Sequence, residues 1–143
     1  MADESNSFFD DDTRETLIAA AQMVAKNAYA PFSKFCVGAA LLTTDGRIFT
    51  GCNVENSSYG LTNCAERTAV FTAVAEGALS ASQSIAALAV FNRDGSPCTP
   101  CGACRQVLYE FGPEAAVIYK NKAGEIVENK LGELFPEGFR LQK

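Results

Sequence analysis

The chain has 143 residues, 48% of them hydrophobic and 20% charged, which excludes a disordered or fibrous polymer and suits one globular domain burying roughly two thirds of the surface its unfolded chain would expose. The net charge of -5 resides at the start, in Asp3, Glu4, Asp10, Asp11 and Asp12, and the remainder holds 12 acidic against 12 basic residues. Such a body has no basic stripe for a phosphate backbone, which speaks against nucleic acid as a partner. With no run near the ~20 apolar residues of a membrane span and an acidic N-terminus where a signal peptide is basic, a cytoplasmic protein with no membrane partner is expected.

Residues 1–12 read as an acidic tail before a single domain over 13–143, with Phe8 and Phe9 available to dock on the body. Over 13–30, Leu17, Ile18, Ala21, Val24, Ala25 and Ala28 recur at helical spacing, Asp12 and Glu15 are placed as a capping pair, and Pro31 ends the helix. The apolar, partly β-branched runs 35–43 and 47–52 flank Thr44-Asp45-Gly46, a pattern that predicts an antiparallel hairpin. A second helix is expected over 64–76, stopped by Gly77, and a buried strand over 84–91. A third helix runs from Pro100 to about Phe111, with Gly112 as its stop. Short strands over 115–119 and 125–128 and a last helical turn over 130–135 complete the chain. The alternation predicts a three-layer α/β/α sandwich on a mixed sheet of about five strands.

Six cysteines carry the first chemical signal: Cys36, Cys52, Cys64, Cys98, Cys101 and Cys104. In a reducing compartment they suit metal binding or catalysis better than disulfides. Cys36 and Cys52 lie within apolar strand patterns and read as small core residues. Thr99 as a cap and Pro100 at the first helical position would put Cys101 and Cys104 on one helical face. With Cys64 as a third ligand, the fourth position of a tetrahedral zinc stays open for water, and two helix N-termini favour the thiolates. Two plainer readings compete. Cys98 could join the other three in a closed, structural four-cysteine site, although it precedes the helix and lies off the shared face. Glu66, three residues after Asn63, has the spacing of an ordinary capping box.

The segments CAE at 64–66 and PCGAC at 100–104 resemble the zinc-dependent nucleoside and nucleobase deaminases in their all-cysteine form, the chain having no histidine. Together with PFSKF at 31–35, VGAALL at 37–42, GCNVENSSYGL at 51–61, CAERTA at 64–69, PCGACRQVL at 100–108 and LFPEGF at 134–139, they are similar to the small tetrameric cytidine deaminases. The resemblance covers nearly everything from Thr13 to Phe139. It implies a five-stranded α/β/α sandwich and a homotetramer with active sites shared between subunits. It also implies one zinc per chain on Cys64, Cys101 and Cys104, with Glu66 as the catalytic proton shuttle. Asn53 and Glu55 would hold the ribose, with Tyr59 also in the substrate site. Phe35 and another subunit's Phe139 would flank the base, and the Ala65 N–H and Thr99 carbonyl would orient the base and its amino group.

The residues suit these roles. Alternate positions of an extended strand end face one side, so Asn53 and Glu55 can both meet a sugar, offering the donor and acceptors that hydroxyls need. A carboxylate there repels phosphate, favouring nucleosides over nucleotides. Three thiolates make zinc a weaker Lewis acid, and the resemblance sets Arg67 against the sulfurs to drain that charge. The implied activity is hydrolysis of cytidine and deoxycytidine to uridine and deoxyuridine with release of ammonia, in pyrimidine salvage. The alternatives are a deaminase of another cytosine nucleoside, such as a nucleoside antibiotic, and a non-catalytic zinc module.

Overall fold

A computed structural model describes residues 9–142, so Phe8 and the start of the acidic tail lie outside the described residues. Helix α1 (Asp11–Val24) begins earlier than the apolar pattern indicates, because Asp10 rather than Asp12 is its cap. The Asp10 carboxylate accepts from Thr13 N at 2.7 Å, and Asp11 and Asp12 fall in the first turn, where the helix dipole favours negative charge. Phe9 packs against the core just ahead of it. The helix does not reach residue 30. It tightens into a 3-10 turn over Ala25–Asn27, after which Tyr29 gives its backbone to a strand-like bridge, donating to Asn53 O at 3.0 Å and accepting from Glu55 N at 2.8 Å.

Five strands follow as expected: β1 (Val37–Thr43), β2 (Ile48–Cys52), β3 (Ile85–Asn92), β4 (Ala116–Lys120) and β5 (Ile126–Lys130). They form one mixed sheet in the order β2-β1-β3-β4-β5. The β1/β2, β1/β3 and β4/β5 pairs are antiparallel, and β3/β4 is parallel. A parallel pair needs a crossover, supplied here by helix α3 (Gly102–Phe111). Helices α2 (Ala65–Ala75) and α4 (Leu131–Leu134) complete the fold.

The two-residue period of the strands divides the core. Val37, Ala39, Leu41, Leu88, Val90 and Val117 face one side, under Ala65, Ala69, Val70 and Ala73 of α2 and Leu108 of α3. Ala40, Ala87, Ala89, Phe91, Ala116 and Ile118 face the other, under Leu17, Ile18 and Ala21 of α1. The three-layer sandwich is therefore the observed architecture. Two glycines set how closely the helices lie on the sheet. A Cβ at Gly38 would stand 2.0 Å from Ala21 O, and one at Gly51 would stand 2.4 Å from Ala69 N. Gly51 thus lets the first turns of α2 lie directly on the edge strand β2.

Candidate metal and catalytic site

Three backbone bridges draw the site together. Val54 and Asn63 exchange N–H···O bonds at 2.9 Å in both directions, pinning the residue before Cys64 against the segment that leaves β2. Tyr29 holds the other side of that segment. Cys98 N donates to Lys120 O at 3.0 Å, tying the approach to α3 to the end of β4. Asn53, Glu55 and the starts of α2 and α3 consequently border one cavity of about 300 Å3.

Cys64 is the N-cap of α2 and Cys101 the N-cap of α3, each with extended backbone and no capping bond from its side chain. This corrects the expected helix start, since Thr99 is not the cap and Pro100 precedes the helix. The capping-box reading of Asn63 and Glu66 fails as well. Cys64 occupies the cap position, Asn63 Nδ2 donates to Thr68 Oγ1 at 3.0 Å, and Glu66 lies inside the first turn of α2. Freed from capping, the sulfurs converge. Cys64 Sγ is 4.0 Å from Cys101 Sγ, Cys101 Sγ is 3.5 Å from Cys104 Sγ, and all three lie within 4.8 Å of one another.

Cys98 is not in that cluster. It is buried in the core with its backbone committed to β4, and burial pushes its thiol up to about 12, with the Glu66 charge adding to the shift. The closed four-cysteine site therefore does not form among the described residues. Cys36 is buried and Cys52 half-buried, as core thiols should be. Burial, then the neighbouring Cys36, pushes the Cys52 thiol up.

Arg67 Nη2 donates to Cys64 Sγ at 3.3 Å. A bond from Cys104 foremost, and then Arg67, draws the Cys64 thiol down to about 5 against its burial. Cys104, fully buried, shifts up through the same bond. The Arg67 pKa is raised, first by its bond to Cys64. Its buried Nε has no hydrogen-bond partner among the described residues, so the guanidinium has donor capacity to spare beside the sulfurs. Three convergent, soft sulfur donors with a cation against them fit zinc, and three protein ligands leave its fourth position open. Glu66 is 4% exposed, and burial raises its carboxyl to about 7.

The sugar-binding candidates are engaged with backbone. Asn53 Oδ1 accepts from Val37 N and Nδ2 donates to Phe35 O, both at 2.8 Å, which leaves one N–H and one acceptor site for a ligand. Glu55 Oε1 accepts from Phe32 N at 2.9 Å and Ser33 N at 3.1 Å, and Oε2 from the Ser33 hydroxyl. The Ser33 bond foremost holds this carboxyl below its usual range. Phe35, Ala65 and Thr99 line the cavity with Cys64, Cys101 and Glu66. Tyr59 instead borders an adjoining cavity that shares Ser33, Glu55 and Thr62, its ring edge-on to Phe32 at 5.6 Å. Phe139 is exposed on the surface, with its carbonyl accepting from Gln106 Nε2 at 3.2 Å. Ser33, Thr62 and Asn63 also line the cavity; sequence singled out Asn63 only as a cap and did not identify the other two, although PFSKF marked the segment to which Ser33 belongs.

Residues 11–120 match the family described as the cytidine and deoxycytidylate deaminase zinc-binding region. A cytidine deaminase of Sporosarcina psychrophila is 49% identical over 126 residues, covering 87% of this chain and 90% of the relative. A probable cytidine deaminase of Dictyostelium discoideum is 53% identical over 106 residues, covering 74% and 70% respectively. The solved structure of the cytidine deaminase from Burkholderia pseudomallei superposes with a TM-score of 0.78 at 50% identity, over 87% of this chain and 98% of that one. That from Mycobacterium tuberculosis gives 0.77 at 43% identity, over 90% and 98%.

Proposed function

The chain belongs to the family of zinc-binding cytidine and deoxycytidylate deaminases, and from that premise we propose how its cavity residues divide the work of deaminating cytidine. The protein is a zinc-dependent cytidine deaminase. Cys64, Cys101 and Cys104 would hold the zinc, which when bound would supply the Lewis acidity that makes water reactive at neutral pH. Arg67 offsets the negative charge of the sulfurs through the bond it already makes to Cys64.

Glu66 takes a proton from the attacking water and passes it to ring N3 as the C4–O bond forms, then takes the proton left on that oxygen and delivers it to the amine as the C4–N bond breaks, leaving a C4 carbonyl and ammonia. A carboxyl held near neutrality by burial suits a group that must both accept and return a proton. The Ala65 N–H and the Thr99 carbonyl orient the base and its amino group at the cavity wall. Asn53 and Glu55 hold the ribose with the capacity their backbone bonds leave free. Glu55, kept ionised by Ser33, repels a phosphate, so the substrates are cytidine and deoxycytidine rather than nucleotides.

Phe35 flanks the base within the chain, and a second copy supplies Phe139, with Tyr59 also drawn into the site, in a cytoplasmic homotetramer serving pyrimidine salvage. The support for assembly is the exposure of the apolar side chains Tyr29, Phe32, Val54, Tyr59, Leu61 and Phe139, with Tyr29 bridged to Val54 and Phe32 in ring contact with Tyr59. Among the described residues no helix is long and apolar enough to cross a membrane.

The observation that carries this reading is the meeting of Glu66, two of the three clustered cysteines and the Asn53–Glu55 segment on one cavity. Purified protein with zinc should convert the ultraviolet spectrum of cytidine to that of uridine and release ammonia while leaving cytidine monophosphate unchanged. An unaltered cytidine spectrum would overturn the reading, and faster turnover of an antibiotic cytosine nucleoside would reassign the substrate.

A further inference from the structure

Arg105 follows Cys104 directly and has no role in the chemistry above, yet it joins the loop on the cavity wall to the start of the C-terminal arm. Its Nε donates to Pro100 O at 2.9 Å and its Nη1 to Leu134 O at 2.6 Å. Pro100 lies between Thr99 and Cys101, both on the cavity wall. Leu134 is the last residue of α4, where the chain departs towards Phe139. A guanidinium is suited to this bridge, because its planar fork presents separate donors in a fixed relation.

Past α4 the C-terminal segment stays against α3. Gln106 Nε2 donates to Phe139 O at 3.2 Å, Arg140 Nη1 donates to Glu110 O at 3.3 Å, and the Tyr109 and Phe135 rings meet edge-on at 5.6 Å. One side of α3 therefore holds the C-terminal arm, and its N-terminus holds Cys101 and Cys104. Arg105 alone among these contacts also reaches the loop that precedes the helix.

We propose that Arg105 is a positioning residue that locks the C-terminal arm to the Thr99–Pro100–Cys101 loop, so that nucleoside binding depends on the docked arm. The inference rests on the assignment of the cavity to a nucleoside. Releasing the arm loosens the carbonyl wall beside the base and the placement of Phe139 together, and small misplacements of binding groups cost up to ~100-fold.

The test uses the full-length zinc-loaded protein and its R105Q and R105K variants. R105Q should raise KM for cytidine by ~10-fold or more with a smaller change in kcat, at the zinc content of the parent. In hydrogen exchange, peptides covering 135–142 should lose protection. R105K, with a single ammonium in place of the fork, should fall between parent and R105Q in both readouts. An unchanged KM, a raised KM with unchanged arm protection, or zinc loss from R105Q would each overturn the proposal. Failure of the parent to deaminate cytidine would overturn the nucleoside assignment instead, while the exchange data would still report whether Arg105 secures the arm.

Discussion

Helix α1 and the pair α2 and α3 begin in opposite ways. At α1, Asp10 spends its carboxylate on the backbone amide of Thr13, the ordinary use of an N-cap. At α2 and α3 the same position is held by Cys64 and Cys101, whose side chains make no such bond and turn towards each other and Cys104. A good cap contributes about 0.5–2 kcal/mol relative to a side chain that cannot cap. Both α2 and α3 forgo that at the site, whereas the four-residue α4 starts from Lys130, whose side chain makes no cap bond either. The fold uses one helix start for stability and two for chemistry, with Gly51 allowing α2 to keep its close seat on β2.

Substitutions can break this contrast. Glu66→Gln should cost the most, at least ~10² to 10⁴ in kcat, with fold and zinc retained, because an amide fills the same buried space but cannot relay a proton. Steady-state kinetics beside zinc analysis check this, and a variant keeping more than about a tenth of parental turnover would return Glu66 to a structural role. Arg67→Gln should weaken zinc affinity or rate by ~10 to 100-fold, since it removes the cation against Cys64 while leaving the helix intact. Competition with a chelator would measure it. Asp10→Ala should have the smallest effect and a different character, about 1 kcal/mol of stability seen by thermal or denaturant unfolding, with unchanged turnover. A kinetic defect in that variant would mean that α1 and α2 are not separable as stabilising and chemical helix starts.

The strands were legible in the sequence because apolar, partly β-branched runs are broken by turn residues, of which Thr44-Asp45-Gly46 sets the β1/β2 register. The cysteine cluster that could hold a metal ion was legible because Cys64, Cys101 and Cys104 sit at recognisable helix starts. Cap positions were harder to read: Asp10, Asp11 and Asp12 offer near-equivalent carboxylates, and Thr99-Pro100 imitates a start whose cap falls two residues ahead of the real one, Cys101. Long-range partners were not legible at all. Ser33 meets Glu55 across 22 residues and Arg105 meets Leu134 across 29, and no local pattern encodes such pairs. Tyr59 and Phe139 are matched by position to the substrate site, yet within one chain they stand apart from the cysteine cavity. On the proposed reading Phe139 acts across a subunit boundary, which sequence periodicity cannot express.

The division of helix starts is tested most directly by the zinc content of purified, dialysed protein measured by elemental analysis for the parent, Cys101→Ala and Cys98→Ser. One zinc per chain is expected in the parent and in Cys98→Ser, with loss of zinc from Cys101→Ala, following the cluster of Cys64, Cys101 and Cys104. Full zinc in Cys101→Ala, or its loss from Cys98→Ser, would contradict that division.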